Sequence, residues 1–172
     1  MLSLSDNEFS VLSFLVRDFA ERLTIRNMAQ RLNFSAAGVF NILKKLEKQN
    51  IVKGEKLGTG LFYSINFENK IAVHLAEIVL LYSDEKILMN TEQFRQAKAA
   101  IFDKKNLLLI MDNVTVLNLN IPNINVISRT EEEFSDLLKR KDPESLQILK
   151  KGIVLFGEEK VADIIKNCAQ RF

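Results

Sequence analysis

Asn27-Met28-Ala29-Gln30-Arg31-Leu32-Asn33-Phe34-Ser35-Ala36-Ala37-Gly38-Val39-Phe40-Asn41-Ile42-Leu43-Lys44-Lys45-Leu46-Glu47 decides how the first part of this chain is read. Ser35 is a good N-cap, and Val39, Ile42 or Leu43, and Leu46 follow it. Apolar residues three and four apart line one side of a helix, so this segment reads as a helix starting at Ser35. It stops near Asn50, a residue type that tolerates the left-handed backbone of a helix end. Thr24 is placed to cap a shorter helix reaching about Leu32, and Asn33-Phe34 leaves only a tight link between the two. Two helices so joined read as a helix-turn-helix.

Upstream, Ser5-Asp6-Asn7-Glu8 has capping-box spacing, and Phe9, Leu12, Leu15, Val16 and Phe19 repeat at helical intervals. This predicts a first helix over residues 6–19. Downstream, Ile51-Val52-Lys53 and Leu61-Phe62-Tyr63-Ser64-Ile65 are strand-like runs around Glu55-Lys56-Leu57-Gly58-Thr59-Gly60, whose glycines permit a hairpin reversal. Three helices followed by a hairpin form a winged helix, here over residues 1–66. A further apolar helix is expected over 68–84, carrying Ile71, Leu75, Ile78, Val79 and Tyr82. Residues 67–96 as a whole read as a helical linker whose apolar helix suits a dimer interface.

Residues 97–172 read as a small α/β domain. Strand-like runs at 107–111, 114–119 and 123–127 are punctuated by Asp112-Asn113 and Pro122. Thr130 and Glu133 have capping-box spacing for a helix with Phe134, Leu137 and Leu138 inward. Asp142-Pro143 opens another helix, which Gly152 ends, and residues 153–156 form a buried-type strand. Val161, Ile164, Ile165 and Cys168 line a last helix. The predicted fold class is α+β: an N-terminal winged helix-turn-helix domain followed by a small α/β domain.

Composition bounds the function. With 172 residues, 47% hydrophobic and 27% charged, the chain is too apolar for a disordered tail. One cysteine, Cys168, and one histidine, His74, cannot build a Cys/His zinc site or an internal disulfide. Cys168 reads as inert packing, and His74 as a packing or interface residue on an apolar helix. Most of the 12 phenylalanines fall at core spacing. The apolar stretches near 71–82 and 107–119 are interrupted by His74, Glu77, Asp112 and Asn113 short of a membrane span. Without a basic leader at the start, a cytoplasmic protein with no membrane partner is expected.

The formal net charge of +2 is too small to mark a basic nucleic-acid binder as a whole, so the placement of charge matters. Residues 1–66 hold nine Lys and Arg against six acids, while residues 67–105 balance and 106–172 are slightly acidic. Lys44, Lys45 and Lys48 close the third helix, where they also complement its dipole. No dipole accounts for Lys53 and Lys56 in the wing. A helix in the major groove offers its N-terminal residues and outward face to base edges, which here are Ser35, Ala37, Gly38, Asn41, Lys44 and Lys45. Asn41 has the chemistry for bidentate pairing with adenine, the lysines for phosphates, and Thr59 stands at the wing tip.

The segment 25–65 resembles the winged-helix domain of bacterial and archaeal transcriptional regulators of the MarR and ArsR kind. The matching pieces are the stretch quoted above, Ile51-Val52-Lys53, and the return strand bearing Tyr63. The resemblance implies binding to double-stranded DNA. A homodimer is expected because so bare a reading helix gains specificity from two half-sites and because the apolar helix suits an interface, and a small-molecule effector or a protein partner is expected beside it.

The second half resembles small nucleotidyltransferase-like domains. The run Glu131-Glu132-Glu133-Phe134 to Leu138-Lys139, then Asp142-Pro143 and Ile148 through Glu159, carries the likeness. That family has a Gly-Ser loop, then Asp-x-Asp, then a third carboxylate on a later strand. Here Ala99-Ala100-Ile101-Phe102 and Leu107-Leu108-Leu109-Ile110 enclose only Asp103-Lys104-Lys105-Asn106, so Lys104 and Asn106 stand where two Asp belong. Residues 125–127 lack the third carboxylate, and two-metal phosphoryl chemistry needs those oxygen ligands. The expectation is a catalytically silent domain for dimerisation or ligand sensing, with no catalytic residue, metal or cofactor. An antitoxin-like protein-interaction module is the alternative, and an active nucleotidyltransferase stands third.

Overall fold

The computed structural model describes residues 4–82, 91–113 and 121–169. They form a mixed α+β chain with a two-stranded and a four-stranded sheet. The chain divides into two compact units, Met1–Val79 and Leu80–Phe172. Among the described residues no helix is long and apolar enough to cross a membrane.

In the first unit, helix α1 (Asp6–Arg17) begins at the expected capping box: Glu8 N–H donates to Ser5 Oγ and Ser5 N–H to Glu8 Oε2. It ends two residues short of Phe19 and buries Val11, Leu12, Leu15 and Val16. Helix α2 (Ile25–Leu32) is capped by Thr24 and closed by Asn33, which sits in the left-handed region at φ 57°. Helix α3 (Ala36–Lys48) buries Val39, Leu43 and Leu46 while Ile42 is half-buried, which sets the register on Leu43.

Strands β1 (Val52–Leu57) and β2 (Gly60–Ile65) pair from Val52↔Ile65 to Leu57↔Gly60. The turn is therefore only Gly58-Thr59, with Gly58 at φ 59°, and the hairpin is longer and tighter than the glycine spacing alone suggested. A bridge between Thr24 and Phe62 sets the entry to α2 beside β2.

Buried Asn66 fixes the end of α3 to the end of the hairpin. Its side-chain amide donates to the Asn50 carbonyl at 3.0 Å and to Asn50 Oδ1 at 2.9 Å, and Asn50 itself is left-handed at φ 61°. Helix α4 (Lys70–Leu81) follows, and Arg17 reaches from α1 to donate to the Val79 carbonyl at 3.3 Å. Helix α4 as far as Val79 belongs to the first unit.

In the second unit a 3-10 turn (Thr91–Phe94) precedes β3 (Ala99–Asp103), β4 (Asn106–Met111), β5 (Asn125–Thr130), α5 (Glu131–Lys139), α6 (Pro143–Lys151), β6 (Ile153–Phe156) and α7 (Glu158–Ala169). The sheet order is β5-β4-β3-β6, with β4 and β5 parallel and the other neighbours antiparallel. The strand expected over 114–119 lies outside the described residues. The next strand begins at Asn125 rather than 123, because Asn123 turns left-handed at φ 62° immediately after Pro122.

Strand β4 is apolar without alternation because both its faces are covered. Leu107, Leu109 and Met111 join Phe94, Ala97 and Ala100 on one side, where Phe94 and Phe156 stack at 6.1 Å. Successive side chains point to opposite faces, so Leu108 and Ile110 turn to the other side, where α5 packs on β4 and α6 and α7 on β3. The Thr130–Glu133 capping box forms as expected, and α6 opens at Asp142-Pro143 with Asp142 as its N-cap. Cys168 is buried on α7 and its thiol donates to the Ser135 carbonyl at 3.6 Å.

Candidate nucleic-acid interface

Helix α3 presents Ser35, Ala36, Ala37, Phe40, Asn41, Lys44, Lys45 and Lys48 outward. Ser35 spends its hydroxyl on the cap, accepting from Gly38 N–H at 3.0 Å. Gly38 is half-buried, and a Cβ there would meet Ser35 Oγ at 2.9 Å, so its small size serves the cap before any close approach of a ligand. Ala37 and Asn41 are exposed, and the Asn41 amide has no partner among the described residues.

Two of the three lysines of α3, Lys44 and Lys45, are already engaged. Lys44 Nζ lies 2.8 Å from Glu47 Oε2, and this carboxylate holds the Lys44 ammonium above the usual lysine range. The buried Tyr63 hydroxyl has no hydrogen-bond partner among the described residues. Lys44 Nζ also sits 5.8 Å from the centre of the Phe40 ring, within range of a cation–π attraction. Lys45 Nζ lies 2.6 Å from Oε1 of the buried Glu8.

In the hairpin, Lys53 has a partner that the sequence reading did not give it: Glu68 Oε2, at 2.7 Å. This pair lowers the Glu68 carboxyl below its ordinary range through the hydrogen bond from Lys53. Lys56 and Thr59 are exposed, and Lys56 has no ion-pair partner among the described residues. Arg26 and Lys48, not singled out as site residues from sequence, are exposed and equally unpaired among those residues. Arg31 differs, because Glu21 at 2.6 Å and Asp18 at 3.5 Å hold it.

The sequence reading also missed Phe40, which is 40% exposed. Its signal was available: with Val39, Leu43 and Leu46 facing inward, position 40 falls off the buried stripe. Of the two roles expected for His74, packing is overturned: it is exposed on α4, with Nδ1 2.8 Å from Glu77 Oε2.

In the second unit, Lys104 forms the β3–β4 turn at φ 36°. Asn125 Nδ2 donates to Asn106 Oδ1 at 3.1 Å, so amides bond to each other where the family pattern would set carboxylates. Among the described residues no three His, Cys, Asp or Glu side chains converge to hold a metal. A hollow of about 340 Å3 along α5 is lined by Arg129, Glu133, Asp136, Leu137 and Arg140.

Comparison with family models, curated proteins and solved structures returns no match to this chain.

Proposed function

We propose that the first unit is a winged-helix domain that binds duplex DNA, with α3 entering the major groove and the β1–β2 hairpin serving as the wing. The observation that carries this reading is the outward side of α3. It joins small residues, Ala36 and Ala37, to an unengaged amide, Asn41, and the cations Lys48 and Lys56 stand unpaired on α3 and the hairpin among the described residues. Small residues at the helix start permit close approach to bases, Asn supplies adenine readout, and free lysines neutralise phosphates. The unit acts as a regulator resembling those of the MarR and ArsR kind, and the second unit senses a ligand or assembles the protein without catalysing. The Asn106–Asn125 amide pair supports the silent reading, since amides are poor substitutes for the carboxylates that hold metal and nucleotide.

A homodimer through α4 belongs to this reading. Ile71 and Ile78, each 52% exposed and seven residues apart, and Leu81 lie on one side of that helix. A second copy buried against such a stripe would bring a second α3 for a second half-site. Ile78→Glu is expected to convert the dimer to a monomer in sedimentation, and a wild-type monomer at micromolar concentration would remove this part of the proposal.

The deciding experiment is a fluorescence-anisotropy titration of the chain against its own upstream DNA and a scrambled duplex over a range of salt. Preference for the upstream DNA, lost as salt rises, supports a regulator. Asn41→Ala is expected to relax preference at one base pair without weakening binding to random duplex. No binding even at low salt would move the reading to a protein-interaction module, for which the exposed Ile71 and Ile78 offer a surface.

A further inference from the structure

Phe40 is an anomaly on α3. The helix buries Val39, Leu43 and Leu46 and shows otherwise small or polar groups outward, yet this residue is 40% exposed. A large apolar side chain left in water forfeits the free energy that its burial would return. Neither capping nor the core accounts for it.

Its position is specific. Helical side chains lean toward the N-terminus over the preceding turn. That tendency directs Phe40 toward Ala36 and Ala37, both exposed, at the end of the helix that would lead into a groove. Lys44, one turn on, leans over Phe40 in the same way, with its ammonium 5.8 Å from the ring centre. One side of the ring is thus steadied by a cation that Glu47 also holds, and part of the residue stays open to solvent. Asn41, whose amide is unengaged, is the next residue round the helix.

In the major groove only thymine offers a methyl group, and apolar side chains recognise it by contact. We propose that Phe40 forms a thymine-methyl subsite beside Asn41, so that this helix takes duplex DNA presenting a thymine next to the adenine that Asn41 reads. The inference rests on the DNA-binding reading of α3 and names the base chemistry that this face selects.

The test isolates one methyl group. The full chain is used to select duplexes from a random pool, and the selected duplex is resynthesised with each thymine in turn replaced by deoxyuracil, which pairs identically but lacks the methyl. Loss of one buried methyl corresponds to about fourfold in affinity. A loss of that size is expected at one thymine in each half-site for the wild-type chain, and no loss for Phe40→Ala. Phe40→Leu should keep part of the effect. Phe40 lies off the buried Val39–Leu43–Leu46 stripe, so Phe40→Ala is expected to stay folded, and its melting temperature is checked alongside.

Binding that ignores every thymine-to-uracil change, or sensitivity that survives in Phe40→Ala, overturns the subsite while leaving DNA binding intact. Absence of binding to any duplex at low salt is a different result: it overturns the DNA reading and the subsite together.

Discussion

Lys45 Nζ lies 2.6 Å from Oε1 of Glu8, joining α3 to α1 through a carboxylate that is almost wholly buried. Burial alone would raise the Glu8 pKa, but the hydrogen bond from Lys45 and those from Ser5 outweigh it and leave the group below its ordinary value. Glu8 thus closes the α1 capping box and anchors the third helix. Lys45→Met would leave a buried carboxylate supported only by Ser5. A loss of about 1 kcal/mol in urea unfolding is expected, since the pair is half-exposed on the lysine side. A variant as stable as the wild type would show that the pair contributes nothing to holding α3.

Asp142 supplies an acid-dependent contribution in the second unit. Its carboxylate accepts from Ser145 N–H at 2.9 Å and Oγ–H at 2.7 Å, and the backbone bond first, then the hydroxyl, depress its pKa. A depressed carboxyl stabilises the fold fully above the unfolded Asp value of about 3.9, and that contribution fades as pH falls through the lower folded value. Asp142→Asn keeps a capping side chain without the charge. Its stability deficit relative to wild type should therefore be present at pH 7 and shrink toward pH 2 in denaturation curves. A deficit constant across that range would count against the linkage.

Local signals were legible in the sequence, and distant pairings were not. The Ser5–Glu8 and Thr130–Glu133 boxes each close within one helical turn, so residue order alone specifies them. Glu68 meeting Lys53, Glu8 meeting Lys45 and Asn66 meeting Asn50 depend on how separate elements pack, which no local pattern encodes. The consequence for the candidate site is direct. Counting charge by segment gave a run of lysines, whereas the fold leaves Lys48 and Lys56 unpaired among the described residues and engages Lys44, Lys45 and Lys53. Phe40 is the opposite case, readable from the Val39–Leu43–Leu46 stripe but hidden by the assumption that phenylalanine is core.

Gly157 joins β6 to α7 at φ 75°, against the backbone of Lys98 and Ala99. A Cβ there would stand 2.6 Å from Ala99 Cα and closer still to the Lys98 carbonyl, neither of which can swing aside as a side chain tip would. Left-handed backbone costs an alanine about 1 kcal/mol, and forced overlap in a packed site adds about 1–3 kcal/mol. Gly157→Ala is expected to cost about 3 kcal/mol in the second unit, measured by chemical denaturation. A near-neutral result would mean that the β6–α7 joint lies farther from β3 than the structure has it.

The contrast between Lys53 and Lys56 gives the sharpest test of the wing. Each phosphate contact contributes about 0.9 to the slope of log affinity against log salt. Lys56 is unpaired among the described residues, so Lys56→Ala should weaken binding to every duplex and flatten the slope by about that amount. Lys53 must first leave Glu68 at 2.7 Å, so Lys53→Ala should cost less. Removing the competing carboxylate reverses the sign: Glu68→Gln should strengthen binding at low salt and steepen the slope, because the freed ammonium can then displace a counterion. Anisotropy titrations of the three variants against one duplex compare them directly. If Lys56→Ala leaves the slope unchanged, the hairpin does not meet the phosphate backbone, and the wing assignment fails whatever α3 does.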